Sequence, residues 1–517
     1  MKISHVAIWA ALSMTSSVHA DTYPRQAGVD AVHYVFRLTF RDATNEITGQ
    51  ATVRVRLLAD DVKDLFLDLA SASGGKGMTV SAVSSNGRPL MFTHRDDRLH
   101  LPLMSPSRAG QEVSFTIEYH GVPADGLRLI PNMFGERTIF SENWPNRARQ
   151  WLPMIDHPYD KATGEFFITA PAHYQVVANG ALVEELDIAN GQRRTHWKQS
   201  VPIASWLYAV GVARFAVHHV GSVKGVPLQS WVFPQDREKG YRLFEEPARR
   251  AIELFSERVG PYSYEKLANV QAAGIVGGAE HATAIFYGEK DIDVGRSALV
   301  VHEVAHQWFG NGVTERDWDD VWLSEGFATY FALLYVEHFD GRDAFVQSLK
   351  ASRDMVLQLE QNMPDTPVVH RNLSDMSRVL NGLVYEKAGW TLHMLRRLIG
   401  TDNFWRGIRE YYSRYQNDNA STDEFRQVME AASGINLTWF FRQWLNRSGV
   451  PSLEGTWRYD SERKRVEVAL TQEQTSDPFR LTIDIGLVLS PPAQSRVELG
   501  SRTSRSHEGR RRSSRLW

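Results

Sequence analysis

The spacing of apolar residues changes near residue 240, and this change constrains the fold more than any other feature of the 517-residue chain. Between residues 30 and 217, Ala51, Val53, Val55 and Leu57 are typical: they alternate with threonine and arginine. A period of two marks half-buried antiparallel strands. Turn sequences such as SASGG and SSNGRP separate these runs. The pattern predicts an N-terminal domain built on antiparallel β-sheet.

Helical spacing then predominates from about residue 240 to 447. Residues 248–259 place apolar side chains on one helical face, and Gly260 with Pro261 ends that run. The sequence STDE at Ser421–Glu424 has the composition of a capping box that opens another helix. Strand alternation returns after residue 453. We therefore expect a multidomain α+β chain, with a β domain at 21–217, a mostly helical domain at 218–448 and a partial β domain at 449–490.

The two ends of the chain differ from the rest in composition. Lys2, an apolar run from Val6 to Met14 and small residues up to Ala20 have the order of a secretory signal peptide. The run is far shorter than the ~20 apolar residues of a membrane-spanning helix. We expect cleavage after Ala20, an exported protein, periplasmic or secreted, and no stable membrane anchor. Residues 491–517 are rich in Arg and Ser without an apolar period, so we expect them to be disordered.

Composition excludes several classes of site. The chain has no cysteine, so disulfides, thiolate zinc sites and cysteine catalysis are all excluded. Any bound metal must be held by His, Asp or Glu. A formal net charge of -3 gives no reason to expect a nucleic-acid partner.

The sequence HEVAHQWFGN contains residues that indicate a catalytic metal site. On a helix, His302 and His306 project from one face about one turn apart, so both imidazoles reach one ion, and Zn²⁺ suits such ligands. Glu303 lies about 100° around the helix, beside the metal, where it can take a proton from water. Glu325 opens another apolar helix, VWLSEGFATYF, which supplies a third ligand if the two helices pack antiparallel. The prediction is one catalytic zinc per chain, with a fourth position for water.

Together these stretches resemble the aminopeptidase N family of zinc metallopeptidases. The zinc signature runs through HEVAHQWFGN and DDVWLSEGFATYF. The likeness continues in residues 143–180, in WLYAVGVARF, in the GGAEHATAIFY substrate loop and in VYEKAGWTLHML. It covers most of the chain from about 30 to 475. It implies a saddle-like N-terminal β domain, a thermolysin-like catalytic domain and hydrolysis of the N-terminal peptide bond of peptides that have a free N-terminus.

The resemblance also implies roles for individual residues. Glu303 is the general base, and Tyr385 donates a hydrogen bond to the tetrahedral oxyanion. Gly277 and Gly278 let the substrate backbone approach closely, and Glu280 binds the α-amino group. The sequence departs from the family pattern at four positions. Trp144 stands where many members carry a second amine-binding residue, and Ala279 and His281 replace Met and Asn in the substrate loop, so these three bear on the amine site. Ser324 replaces an Asn before the zinc glutamate.

Two expectations follow from these departures. Glu142, two residues before Trp144, is a candidate to supply the missing amine-binding carboxylate. A protonated His281 would compete with substrate for Glu280, since an ordinary histidine has a pKa of about 6.5.

Three other functions remain open from the sequence. A thermolysin-type endopeptidase shares the two His and one Glu, but its third-ligand helix normally carries Ser-Asp after the glutamate, where this chain has GFATYF. A catalytically silent peptide-binding relative has no need of Glu303 and Tyr385, and both are present. An epoxide hydrolase activity occurs within the family, and nothing in the sequence is specific for it.

Overall fold

The computed structural model describes residues 21–486 and 514–516. The predicted signal peptide and most of the predicted tail lie outside these ranges. None of the helices within them is both long and apolar enough to cross a membrane.

Strands make up nearly all the regular structure of the N-terminal part. Their bounds are β1 Val29–Thr39, β2 Ile47–Leu57, β3 Asp64–Asp68, β4 Gly77–Ser85, β5 Arg88–Pro89, β6 Thr93–Arg95, β7 Arg98–Pro102, β8 Glu112–Val122, β9 Leu127–Pro131, β10 Arg137–Ser141, β11 Lys161–Pro171, β12 Gln175–Ala178, β13 Ala181–Ile188, β14 Gln192–Ala204 and β15 Val210–Ala213.

These strands form three sheets. The largest has the order β13-β14-β11-β1-β2-β8-β4-β5, and two smaller ones have the orders β12-β15-β10-β9 and β3-β7-β6. The pairing is antiparallel as predicted, with one exception: β1 and β11 run parallel. Apolar alternation could not reveal this exception, because it reports which face is buried and not the direction of the neighbouring strand.

The burial pattern of β2 shows why the alternation was informative. Val53, Val55 and Leu57 are at most 1% exposed, while Arg54 and Arg56 between them reach solvent. The inward side chains of these strands pack in a hydrophobic core that continues into the helical part.

The part of the chain after residue 215 opens with strands and then becomes helical. Its elements are β16 Ala216–Val223, β17 Val226–Val232, α1 Arg237–Arg258, β18 Leu267–Ala272, β19 Gly278–Ala279, β20 Ala284–Gly288, α2 Asp291–Val294, α3 Ser297–His306, β21 Val313–Glu315, α4 Trp322–Phe339, α5 Arg342–Asn362, α6 Ala388–Ile399, α7 Thr401–Tyr415, β22 Asp418–Ala420, α8 Thr422–Ser433 and α9 Thr438–Trp444.

Two local signals in this part are confirmed. Helix α1 ends before Gly260, and Ser421 with Glu424 forms a reciprocal capping box at the start of α8. The five-stranded sheet β16-β17-β18-β20-β19 is an addition to the prediction. Its strands are short and almost fully buried from β18 onward, and such runs show no period that separates strand from helix.

The last elements are β23 Leu453–Asp460 and β24 Arg465–Gln472, a hairpin, and β25 Ser514–Leu516, which pairs antiparallel with β24. The disorder expected for 491–517 stays a prediction, and within that range the structure describes Ser514–Leu516 as this short strand. Strand pairing uses backbone groups, so it can form without the apolar alternation on which the prediction relied.

Candidate metal centre and active site

Three metal-ligand side chains meet where α3 packs on α4. His302 and His306 lie one turn apart on α3, and Glu325 lies in the first turn of α4. The two Nε2 atoms are 3.1 Å apart, and they lie 3.5 Å and 3.3 Å from the Glu325 Oε2 atom. Among the described residues, these three form the group of His, Asp and Glu side chains able to hold a metal ion.

The chemistry of this group fits zinc. Ligands at about 2.0–2.1 Å from a tetrahedral ion lie ~3.3 Å from one another, close to the separations of these three atoms. The Glu325 Oε2 atom is buried and has no hydrogen-bond partner, as expected of an oxygen reserved for a cation. Burial alone would raise the pKa of Glu325, but attraction to His306 outweighs it and lowers the pKa to about 2. That attraction comes from a protonated His306 imidazole, and a bound cation, which would replace the proton, would likewise favour the charged carboxylate.

The far side of the His306 ring is also held. Its Nδ1 atom lies 3.0 Å from the Ser324 Oγ atom and 3.2 Å from the Phe309 backbone oxygen. A proton on Nδ1 can be donated to that carbonyl, which leaves the Nε2 lone pair for the metal. Ser324, one of the departures from the family pattern, thus has a positioning contact with a zinc ligand. Gly310 makes room for it, since a Cβ there would lie 2.2 Å from the Ser324 Oγ atom.

Glu303 is 4% exposed, and burial raises the pKa of its carboxyl well above the ordinary value. Gly278 lies directly against it. A Cβ at Gly278 would come within 2.1 Å of the Glu303 Oε1 atom, so only glycine leaves space for the carboxylate. The predicted role of Gly278, admitting the substrate backbone, stays a prediction, and the structure adds this packing role. Gly277 has φ +72, the left-handed conformation that glycine adopts without strain, and space around it is open.

Tyr385 approaches the metal centre from a single π-helical turn, Leu383–Lys387. Such turns often occur at functional sites because they displace one side chain from the regular helical surface. The centroid of the Tyr385 ring lies 6.2 Å from the centroid of the His302 ring. Burial, reinforced by Glu325 and Glu280, raises the pKa of Tyr385 well above its usual range, so its hydroxyl keeps its proton and remains a hydrogen-bond donor.

The Glu280 carboxylate is held by two indole rings. Its Oε1 atom accepts hydrogen bonds from Trp144 Nε1 at 2.5 Å and Trp206 Nε1 at 3.3 Å. The Glu280 backbone oxygen accepts from Gln307 Nε2 at 3.0 Å and Asn311 Nδ2 at 2.6 Å. Because Gln307 and Asn311 directly follow the zinc helix, these two bonds tie the Glu280 loop to the metal centre.

A third indole packs against the first two. The centroid of the Trp318 ring lies 4.8 Å from that of Trp144 and 5.0 Å from that of Trp206. The sequence reasoning missed the parts played by Trp206 and Trp318. Trp206 could have been noticed, because it stands in the WLYAVGVARF stretch that resembles the family. The sequence pattern, however, does not indicate that its side chain contacts a loop more than seventy residues later.

Two expectations about the amine site concern His281 and Glu142. His281 is buried, and burial lowers its pKa to about 3, so the protonated form that would compete for Glu280 does not arise near neutral pH. Glu142 forms ion pairs with Arg147 and, at 3.3 Å, with Arg128. These pairs already balance its charge, and its role as a second amine-binding carboxylate stays a prediction.

Comparison with known proteins identifies the family. A family model described as "Peptidase M1 N-terminal domain" matches residues 30–207, and one described as "Peptidase family M1 domain" matches residues 250–444. Human glutamyl aminopeptidase is 30% identical over 378 residues, which is 69% of this chain and 38% of that protein. Tricorn protease-interacting factor F2 of Thermoplasma acidophilum is 26% identical over 412 residues, 76% of this chain and 50% of that protein.

A solved structure has nearly the extent of this chain. The crystal structure of an M1 zinc metallopeptidase from Deinococcus radiodurans aligns with TM-score 0.71 and 25% sequence identity, covering 82% of this chain and 95% of that one. By contrast, the chain spans from 34% to 51% of the length of the first curated relatives that it matches. With both family models matched in order and the zinc ligands assembled, this chain belongs to peptidase family M1, the aminopeptidase N family of zinc metallopeptidases.

Proposed function

We propose that this chain is an aminopeptidase that uses zinc to hydrolyse the N-terminal peptide bond of peptides. The supporting observation is the Glu280 carboxylate, buried, hydrogen-bonded by two indoles and tied to the end of the zinc helix. A zinc, a base and an oxyanion donor cut any peptide that fits. A carboxylate at a fixed distance from the metal adds recognition of the α-ammonium group and so selects the first bond.

Each polar residue of the site then has a task. His302, His306 and Glu325 would hold zinc, which would supply Lewis acidity to polarise the scissile carbonyl and lower the pKa of water. Glu303 accepts the proton of the attacking water and returns it to the leaving amine. The Tyr385 hydroxyl donates to the oxygen on which charge develops. Several of the curated relatives, among them those from human and pig, are named as glutamyl aminopeptidases, which supports an exopeptidase over an endopeptidase.

A panel of aminoacyl fluorogenic substrates, each with and without an N-acetyl group, tests this function. Glu280→Ala should lose most of its kcat/KM on free-amine substrates, because the ammonium loses its charged partner. N-acetylated substrates should be poor for the wild type and little affected by the substitution. Glu257→Ala is a matched control, since Glu257 is 69% exposed. If the wild type cleaves blocked and free peptides equally fast, an endopeptidase replaces the aminopeptidase.

We also propose that the protein is exported and begins at Asp21 when mature. The support is the order of charged, apolar and small residues in the first twenty positions. Mass spectrometry of protein from its natural host should find Asp21 at the N-terminus. A membrane-bound protein that keeps Met1 would mean that the apolar run is an anchor.

A further inference from the structure

The residue predicted to become the N-terminus is clamped at the junction of the β domain and the catalytic domain. The Asp21 backbone nitrogen donates to the Asp317 Oδ1 atom at 2.7 Å. The Asp21 Oδ2 atom accepts from the Trp318 backbone N–H at 3.1 Å and lies 2.7 Å from His157 Nε2. The Asp21 side chain is fully buried, and that of Asp317 is 8% exposed.

The charges around this nitrogen are unbalanced. Within the described part of the chain, the Asp21 and Asp317 carboxylates form ion pairs with one guanidinium, that of Arg25, which lies 2.6 Å from Asp317 and 3.8 Å from Asp21. Burial lowers the pKa of His157, and its hydrogen bond to Asp21 opposes that shift. The Asp319 backbone N–H also donates to Asp317. One additional positive charge at the Asp21 nitrogen would compensate the excess of buried carboxylate.

We propose that the α-ammonium group of Asp21, created when the first twenty residues are removed, forms a buried ion pair with Asp317 that positions the Glu280 site. The inference rests on the cleavage proposed above. In the uncleaved chain the nitrogen belongs to a neutral peptide bond. Hydrolysis of the Ala20–Asp21 bond by a signal peptidase consumes one water, leaves a carboxylate on Ala20 and leaves a protonated amine on Asp21.

The path from Asp21 to the site is short. Asp21 holds the Trp318 backbone, and the Trp318 ring packs on Trp144 and Trp206, the two donors to Glu280. The turn at Trp318–Asp320 also leads directly into α4, which carries Glu325. Asp21 and Asp317 are therefore positioning residues: they act on the substrate amine through Trp318.

The test compares two chains with defined N-termini: one begins at Asp21 and the other at Ser17, so that its Asp21 nitrogen stays in a peptide bond. The Asp21 chain should have a higher Tm, by about 2–4 °C or more. Its KM for aminoacyl substrates should be about threefold to tenfold lower, with kcat little changed. Both differences should vanish when each chain carries Asp317→Asn. The exposed Asp365 provides the control substitution Asp365→Asn, which should leave them intact.

Two further measurements test whether the partner of Asp317 is the protonated α-amine of Asp21. A free α-amine has a pKa of about 7.7–8.0, and pairing with Asp317 raises it in the folded state. The added stability is then present below the unfolded pKa and is lost as pH rises through the raised folded value, so the Tm difference should shrink by about pH 10. Acylation of the α-amine, followed by mass spectrometry, should be slow in the Asp21 chain and fast in the Ser17 chain.

Several results would overturn the ion pair. They are equal Tm and KM for the two chains, a difference that survives Asp317→Asn, and rapid acylation of the Asp21 amine. The Tm and acylation measurements need no catalysis, so they stand even if the proposed activity fails. A natural N-terminus other than Asp21 would refute the cleavage step by a separate observation.

Discussion

The metal centre and the amine site lie side by side but are built in different ways. The metal ligands all fall within residues 302–325, on two consecutive helices packed together. The amine site collects Trp144, Trp206, Glu280 and Trp318 from four separate segments. Helical geometry therefore places the two histidines, and the packing of two neighbouring helices adds Glu325, whereas the donors that hold Glu280 come together only through the fold of the whole molecule.

Loss of the metal should impair the protein more than any change at the amine site. His302→Ala removes a zinc ligand, so metal content and hydrolysis should both be lost, and a chelator should do the same to the wild type until zinc is restored. Metal analysis and an activity assay check this. Full activity in metal-free protein would contradict the assignment of a catalytic zinc.

Glu303→Gln provides the matched comparison within the same helix. The carboxamide cannot accept a proton from water at neutral pH, so turnover should fall by about 10²–10⁴ while zinc remains bound. Equal loss of zinc in the Glu303 and His302 variants would show that Glu303 is a ligand.

These residues were predictable because one periodicity governs them. Spacing of four on a helix brings His302 and His306 together whatever surrounds them, and the structure confirms it. The packing that brings up Glu325 was an expectation about two neighbouring helices. Close contact of Gly326 with Ala388, where a Cβ would lie 2.4 Å from the Ala388 Cβ atom, then brings the Tyr385 turn against α4. That contact depends on the fold, and the sequence indicated Tyr385 only through the family resemblance.

Tyr385→Phe tests a residue that reaches the metal centre from a distant segment. Its hydroxyl is proposed to stabilise charge that appears only in the transition state, so kcat should fall by about 10²–10³ with little change in KM. Tyr459→Phe is the control, since Tyr459 is 55% exposed on the C-terminal hairpin. Normal turnover in the Tyr385 variant would refute the oxyanion role.

Trp144→Phe moves the test to the amine site. The change keeps an aromatic ring but removes the N–H that donates to Glu280 at 2.5 Å. A hydrogen bond to a charged group contributes about 1.5–3 kcal/mol, so kcat/KM on free-amine substrates should fall roughly tenfold to a hundredfold. Steady-state kinetics measure it, with Trp457→Phe, at a ring 74% exposed, as control. A variant with unchanged kcat/KM would show that the indole merely fills space.

The amine site was less predictable for a physical reason. The sequence shows that Glu142 and His281 are polar and lie near the right motifs, but their charge state depends on burial and partners. Two arginines pair with Glu142, and burial keeps His281 neutral. Trp144 first looked like the loss of a ligand. In the fold its indole N–H donates to Glu280, the carboxylate proposed to bind the amine.

The smallest expected effect separates the two indoles. Trp206 Nε1 lies 3.3 Å from the Glu280 Oε1 atom, farther than Trp144 Nε1, so its hydrogen bond is weaker. Trp206→Phe should therefore reduce kcat/KM by only a few-fold to about tenfold, corresponding to about 0.5–1.5 kcal/mol. Because both indoles donate to one oxygen, the double variant should differ from the product of the single effects. A larger loss of kcat/KM in Trp206→Phe than in Trp144→Phe, or strict additivity of the two free-energy changes, would show that the two indoles do not hold Glu280 together. The amine site would then not depend on donors brought together from distant segments.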